Sequence, residues 1–299
     1  MSTPPPYVGR FAPSPTGPLH FGSLVAALAS WLDARAASGQ WRVRIEDVDT
    51  TRSVPGAADG ILRTLEALGL QWDGEVVWQS RRTALYEAAL GRLRAAGLTY
   101  RCRCSRKEVA DSGLPGLEGA IYPGTCRDLA LPPSTAASER MRADEAPIAF
   151  EDRVQGRVGH SVAREIGDFI LRRRDGLHAY QLAVVVDDAD QGVTDVVRGA
   201  DLLWSTPRQI ALQHGLGYPT PRYLHFPVVA NERGEKLSKQ TLAPAIDGSN
   251  AAVLLRAALA FLGQPVPDAG APAEVLVQAT RAWQPGRIPR QASQTLARV

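Results

Sequence analysis

The opening of the chain constrains its fold more than any other segment. From Tyr7 to Phe11 a short apolar strand pattern runs into the breakers Pro13, Pro15, Gly17 and Pro18, and an Ala-rich helix pattern follows from Leu24 to Ala36. Trp41 to Ile45 alternates apolar and basic residues as a second strand, and Ala58 to Leu68 and Thr83 to Ala96 carry helical periodicity. Such a βαβα order calls for a parallel sheet, because parallel strands need a long crossover, usually a helix. The predicted fold class is α/β, with a Rossmann-type parallel sheet.

The order then breaks. Between Tyr100 and Ala149 the sequence turns rich in Cys, Gly and Pro, and Leu131 to Glu139 has the composition of a surface loop. We read residues 100–165 as an insertion that separates a first core half, 1–99, from a second, 166–240. In the second half Ile166 to Arg172 and Tyr180 to Val186 read as strands, Thr206 to His214 as a helix and Tyr223 to Val229 as a strand. Residues 241–299 read as a short helical region: Asn250 to Leu262 is amphipathic, and Pro265, Pro267, Pro272, Pro285 and Pro289 interrupt the remainder.

Composition narrows the function classes. A chain of 299 residues, 44% hydrophobic and 22% charged, buries a substantial core. It holds no apolar run of 18 residues, and its start, Met-Ser-Thr-Pro-Pro-Pro, lacks the order of a signal peptide, so a cytoplasmic protein with no membrane partner is expected. The net charge of +3 permits an RNA partner without demanding one. Lysine is scarce: Lys107, Lys236 and Lys239 stand among 34 basic residues. Two of them fall in one loop.

That loop, Glu235-Lys236-Leu237-Ser238-Lys239-Gln240, follows the glycine-containing Asn231-Glu232-Arg233-Gly234. Two ammoniums on flexible stems suit a loop that closes over a triphosphate and neutralises departing pyrophosphate. The string from Arg10 to Ser23 supplies the complementary half of a nucleotide site. It puts His20 and Gly22 at a helix start after a strand, where unpaired N–H groups and the positive dipole end attract phosphate. Gly22 lets a ribose or purine approach the backbone, and a neutral His20 can donate to the α-phosphate.

These strings closely resemble the glutamyl branch of class I aminoacyl-tRNA synthetases. Arg10 to Ser23 is similar to that branch's histidine-glycine signature, although His20-Phe21-Gly22-Ser23 departs from the usual final histidine. Lys236 to Gln240 resembles its lysine-serine-lysine signature. Arg44-Ile45-Glu46-Asp47-Val48-Asp49, Val197 to Leu203 and Thr206-Pro207-Arg208-Gln209 are similar to further segments, so the resemblance runs in order from Tyr7 to Pro244. It implies catalytic roles for His20, Lys236 and Lys239, and an ATP site, with Mg2+, at His20, Gly22, Ser23, Lys236, Ser238 and Lys239. It further implies an L-glutamate site of Arg10, Phe11, Ala12, Pro13, Ser14, Glu46, Tyr180 and Arg198. Arg10 suits a bidentate pair with a carboxylate, and Glu46 suits the substrate's ammonium.

The cysteines add a second expectation. Cys102, Cys104 and Cys126 are odd in number and clustered, which favours metal ligation over a disulfide framework. A tetrahedral zinc site needs a fourth ligand, and the residue chemistry leaves that position open. The Cys-x-Cys and Tyr-x-x-x-Cys arrangement is similar to the zinc site of glutamyl-Q tRNA(Asp) synthetases, which implies Tyr122 as fourth ligand of one structural Zn2+. Those enzymes are also similar in being short after the lysine-serine-lysine loop, where about 60 residues remain here, too few for an anticodon-binding domain. The resemblance implies glutamate activation without tRNA, followed by transfer onto the queuosine base of tRNA(Asp), by a monomer. A truncated glutamyl-tRNA synthetase charging the acceptor end, an inactive RNA-binding relative and a small-molecule nucleotidyltransferase are the competing readings.

Overall fold

The computed structural model describes residues 6–117, 119–231, 245–246 and 248–295. β1 (Val8–Phe11) is buried throughout and leads through the proline turns into α1 (Phe21–Ala36). On α1, Leu24, Val25, Ala27, Leu28, Ala29, Leu32 and Ala34 are all buried, wider than one apolar stripe, as suits a helix packed on several sides. β2 (Gln40–Ile45) pairs parallel with β1, from Val8 opposite Gln40 to Phe11 opposite Val43. α2 (Ala57–Ala67) starts after the left-handed Gly56, a conformation that glycine adopts without a Cβ penalty. β3 (Val77–Trp78) then adds parallel to β2, and α3 (Thr83–Ala95) follows.

The inserted region opens with β4 (Thr99–Cys102) and α4 (Arg106–Ser112), whose capping box joins Ser105 and Glu108. The short β5 (Pro115–Gly116) and β6 (Gly119–Ala120) pair antiparallel, and β7 (Ser138–Met141) runs antiparallel to β4. β8 (Ile148–Asp152) and β9 (Gly156–His160) form a hairpin, and α5 (Val162–Glu165) precedes β10 (Ile170–Arg172).

Here the structure redraws the sequence reading. Within Ile166 to Arg172 only Ile170–Arg172 is strand, and it pairs antiparallel with β7 in the inserted sheet. Tyr180 to Val186, read as a strand, is instead the first part of α6 (Tyr180–Asp190). Gln181 through Asp188 are all buried, so the helix shows no apolar stripe, and its Val-rich run imitates a core strand. β-branching costs a helix only a few tenths of a kcal/mol per residue, which packing against α3 and α7 (Thr206–Leu216) overrides.

β11 (Asp195–Gly199) and β12 (Arg222–Phe226) pair parallel, and β12 meets β8 where Tyr223 lies opposite Asp152. The Thr194 N–H donates to the Val8 carbonyl at 2.9 Å, setting β11 beside β1. The strand expected from Tyr223 to Val229 is broken at Pro227, which has no N–H for a ladder, and resumes as β13 (Val228–Ala230). α8 (Ala251–Phe261) and α9 (Pro272–Ala282) pack on α1, and β14 (Ser293–Thr295) pairs parallel with β13.

One apolar cluster runs from Tyr7 and Phe11 through α1 and β2 to Leu255, Leu276, Trp283 and Ile288. At its edge the buried Asp33 carboxylate accepts from Tyr7 OH, from Trp283 Nε1 at 2.9 Å and from Arg153 Nη2 at 2.9 Å. These donors satisfy a charge that would otherwise be costly to bury. Among the described residues no helix is long and apolar enough to cross a membrane.

Candidate active site

A cavity of about 930 Å³ opens at the carboxyl ends of β1, β2 and β11. β1 joins β2 on one side and β11 on the other, so the cavity occupies the switch point of the sheet, where open α/β folds bind ligands. Its wall brings together Arg10, Phe11, Ala12, Pro13, Ser14, Glu46, Tyr180 and Arg198 on one part, and His20, Gly22 and Ser23 on another. Arg52, Asp201 and Leu202 also line it. Lys236, Ser238 and Lys239 lie outside the described residues.

Arg10, only 4% exposed, projects from β1, and its Nε donates to Asp188 Oδ1 at 3.2 Å. No other hydrogen bond of Arg10 is made among the described residues, so its terminal nitrogens keep donor capacity toward the cavity. Arg44 ties this wall together from beneath. Fully buried, it donates to Asp188 Oδ1 at 2.8 Å, to Gln191 Oε1 at 2.7 Å and to Glu46 Oε1 at 3.2 Å. Burial alone would raise the Asp188 carboxyl, but Arg10 and Arg44 outweigh it and hold it below the ordinary carboxylate range. Glu46 goes the other way: burial, with the Asp188 charge adding, raises it despite Arg44 and Arg10. A cation entering beside Glu46 would draw it back toward ionisation.

Arg198, at the far end of β11, donates from Nε to His225 Nε2 at 3.0 Å and from Nη2 to Thr206 Oγ1 at 2.8 Å. Its Nη1 is buried with no hydrogen-bond partner among the described residues. Arg198 also lines the cavity, so its positive charge stands at the wall where an anion could enter.

His20 is the N-cap of α1, and its Nδ1 accepts from the Ser23 N–H at 3.3 Å. A ring nitrogen that accepts carries no proton, which puts the neutral imidazole's N–H on Nε2. Gly22 and Ser23 occupy the first turn, so the helix's unpaired N–H groups border the same space.

Arg44, Asp188 and Gln191 support the wall and had no assigned role in the sequence reading. The signal was present in the paired Asp187 and Asp188, but the strand reading of the preceding valines hid which face they occupy.

A second group lies in the inserted region. The sulfurs of Cys102, Cys104 and Cys126 all lie within 4.8 Å of one another and could hold a metal ion. Tyr122 Oη stands 3.3 Å from Cys102 Sγ and 3.7 Å from Cys104 Sγ. Zinc–sulfur bonds of about 2.3 Å in a tetrahedron require sulfurs about 3.8 Å apart, and Cys104 Sγ and Cys126 Sγ stand 3.6 Å apart. The Cys126 N–H donates to Tyr122 Oη at 2.7 Å, and the Arg140 guanidinium lies 3.9 Å above the tyrosine ring. The Cys126 N–H favours negative charge on that oxygen, but burial and the neighbouring thiols outweigh it and hold the Tyr122 hydroxyl well above its ordinary range, so ionisation there calls for a bound cation.

Residues 7–252 match the catalytic-domain model of class I tRNA synthetases (E and Q). The chain is 59% identical over 292 residues to the glutamyl-Q tRNA(Asp) synthetase of Dechloromonas aromatica, spanning 96% of this chain and 97% of that relative. It is 59% identical over 290 residues to the enzyme of the same name from Aromatoleum aromaticum, spanning 96% and 92%. In fold it is similar to a glutamate tRNA ligase from Elizabethkingia meningosepticum, solved in complex with its amino acid. The TM-score is 0.81 at 22% identity, over 97% of this chain and 67% of that one.

Proposed function

This chain belongs to the glutamyl-Q tRNA(Asp) synthetases, within the class I tRNA synthetases of the E and Q type, and from that premise we propose what its cavity does. It activates L-glutamate with ATP and Mg2+ and transfers the glutamate onto the queuosine base of tRNA(Asp). The observation that carries the reading is one cavity lined together by Arg10, Arg198, Glu46 and the His20-capped start of α1. Two guanidiniums offer separate anchors for the two carboxylates of glutamate, and Glu46 offers one for the ammonium.

In the first step a glutamate carboxylate oxygen attacks the α-phosphorus, a phosphorus–oxygen bond forms, and pyrophosphate leaves. The charge that builds on the α-phosphate meets the Nε2–H of His20 and the N–H groups opening α1. Lys236 and Lys239 neutralise the departing pyrophosphate. In the second step the queuosine base takes the glutamyl group and AMP leaves. Arg10 and Arg198 orient glutamate for both steps, and such positioning alone lowers barriers by several kcal/mol.

In the inserted region we assign one structural zinc ion to Cys102, Cys104, Cys126 and Tyr122. The convergence of three sulfurs with the Tyr122 oxygen beside them supports it. With all four positions filled by protein, the ion holds the fold and takes no part in the transfer.

The test of the main reading is incubation with labelled glutamate, ATP and queuosine-containing tRNA, followed by mapping of the label. Label on the modified anticodon base is expected. Label on the terminal ribose would overturn the reading in favour of an acceptor-charging enzyme.

A further inference from the structure

Arg198 does not hold its position unaided. We propose that His225 and Asp152 are positioning residues for Arg198, fixing its guanidinium across three adjacent strands at the wall of the cavity that takes glutamate. The proposal rests on the reading of Arg198 as a substrate anchor and goes beyond it by naming what sets that anchor's direction.

Three observations build it. Arg198 of β11 lies opposite His225 of β12 in the parallel register, so the two side chains stand side by side on one face of the sheet. Asp152 of β8 adjoins the same row, and its Oδ2 takes the His225 Nδ1–H at 2.6 Å. With Nδ1 donating, Nε2 keeps its lone pair and accepts the Arg198 Nε–H at 3.0 Å. Thr206 Oγ1, in the first turn of α7, completes the clamp by accepting from Arg198 Nη2. Of the guanidinium nitrogens only Nη1 is left over, and it is the buried one without a partner among the described residues.

The arrangement works only for a neutral imidazole. A protonated ring would set N–H against N–H at the Arg198 contact. Burial, with Arg198 adding, pushes the His225 pKa down to about 4 against the pull of Asp152, so the neutral form prevails near neutrality. His225 is fully buried, and neither it nor Asp152 lines the cavity. Their influence on substrate therefore passes through Arg198.

The variants His225→Asn and His225→Gln separate positioning from packing. The Asn amide can still donate to Asp152 but is too short to reach Arg198; the Gln oxygen can reach Arg198 Nε. We expect H225N to raise the Kd and KM for glutamate by about 10- to 100-fold, the scale of an anchor displaced by about 1 Å. ATP affinity should stay within about 2-fold, and H225Q should recover most of the glutamate affinity. A folded H225N with unchanged glutamate affinity, or an H225Q as impaired as H225N, would overturn the proposal. Wild-type enzyme that binds no glutamate by calorimetry would overturn the reading of the cavity itself, and the assignment with it. The 15N spectrum of the wild-type His225 ring needs no variant: an Nδ1–H tautomer is required, and an Nε2–H tautomer would sink the proposal even if both variants failed to fold.

Discussion

Burying His225 as a neutral group makes the stability of this protein depend on pH with a sign and size that can be worked out beforehand. In the unfolded chain a histidine binds its proton near pH 6.5, whereas the folded His225 does so only near pH 4. Between those values the unfolded state carries more protons, so stability falls as pH falls through this window and levels off below it. For one group shifted from 6.5 to about 4, moving from pH 7.5 to pH 5 costs roughly 2 kcal/mol. Asp152 is itself held below the ordinary carboxylate range and titrates under this window. His178, also depressed, contributes with the same sign, so the informative quantity is a difference between proteins. Urea unfolding of wild type and H225Q at pH 7.5 and pH 5 isolates the His225 share. Wild type should lose about 2 kcal/mol more than H225Q over that interval. Equal losses would show that His225 takes up its proton in the folded state as readily as in the unfolded one, and the neutral clamp on Arg198 would then be wrong.

His20→Ala and Lys239→Ala should each lower the turnover of glutamate-dependent pyrophosphate exchange by about 100- to 1,000-fold, the usual loss for one transition-state contact; an H20A effect confined to the KM for glutamate would refute the α-phosphate role. Metal analysis should return one zinc per chain, and chelation should loosen the inserted region by hydrogen exchange while β1, β2 and β11 stay protected; protein purified without zinc and equally ordered would dismiss the site. Ribonuclease-treated enzyme should exchange pyrophosphate with glutamate alone, since Arg10, Arg44, Glu46, Asp188 and Arg198 are already organised without RNA. Exchange that begins only when tRNA is added would show that the pocket is not preformed.

The parts of the fold legible in the sequence are those whose burial is one-sided or whose breaks are chemical. Pro13, Pro15, Gly17 and Pro18 mark the loop before α1, and α2, α3, α7 and α8 fall within a few residues of their periodic patterns. Where burial is complete the pattern fails, as at Tyr180 to Val186, because a helix covered on all sides leaves no polar face to give its period. Strand partners are still less legible: nothing local distinguishes Ile170–Arg172, which joins β7, from Ile148–Asp152, whose end reaches β12. At the site, residues of the string from Arg10 to Ser23 line one cavity with Glu46, Tyr180 and Arg198. Arg44, Asp188, Gln191, Asp152 and His225 stayed hidden because each acts through a partner distant in sequence, 144 residues for Arg44 and Asp188, 147 for Arg44 and Gln191, 73 for Asp152 and His225 and 27 for His225 and Arg198.

The reach of Asp33 has a consequence for how the chain is made. Its carboxylate sits in α1, yet its donors come from Tyr7, Arg153 and Trp283, at sequence separations of 26, 120 and 250. Leu255, Leu276 and Ile288 complete the same apolar cluster. A ribosome adding roughly 5–20 residues per second needs on the order of ten seconds or more to travel from α1 to Trp283. Throughout much of that interval the nascent first half presents the apolar α1 without α8 and α9, which later pack on it, an aggregation-prone surface that invites a chaperone.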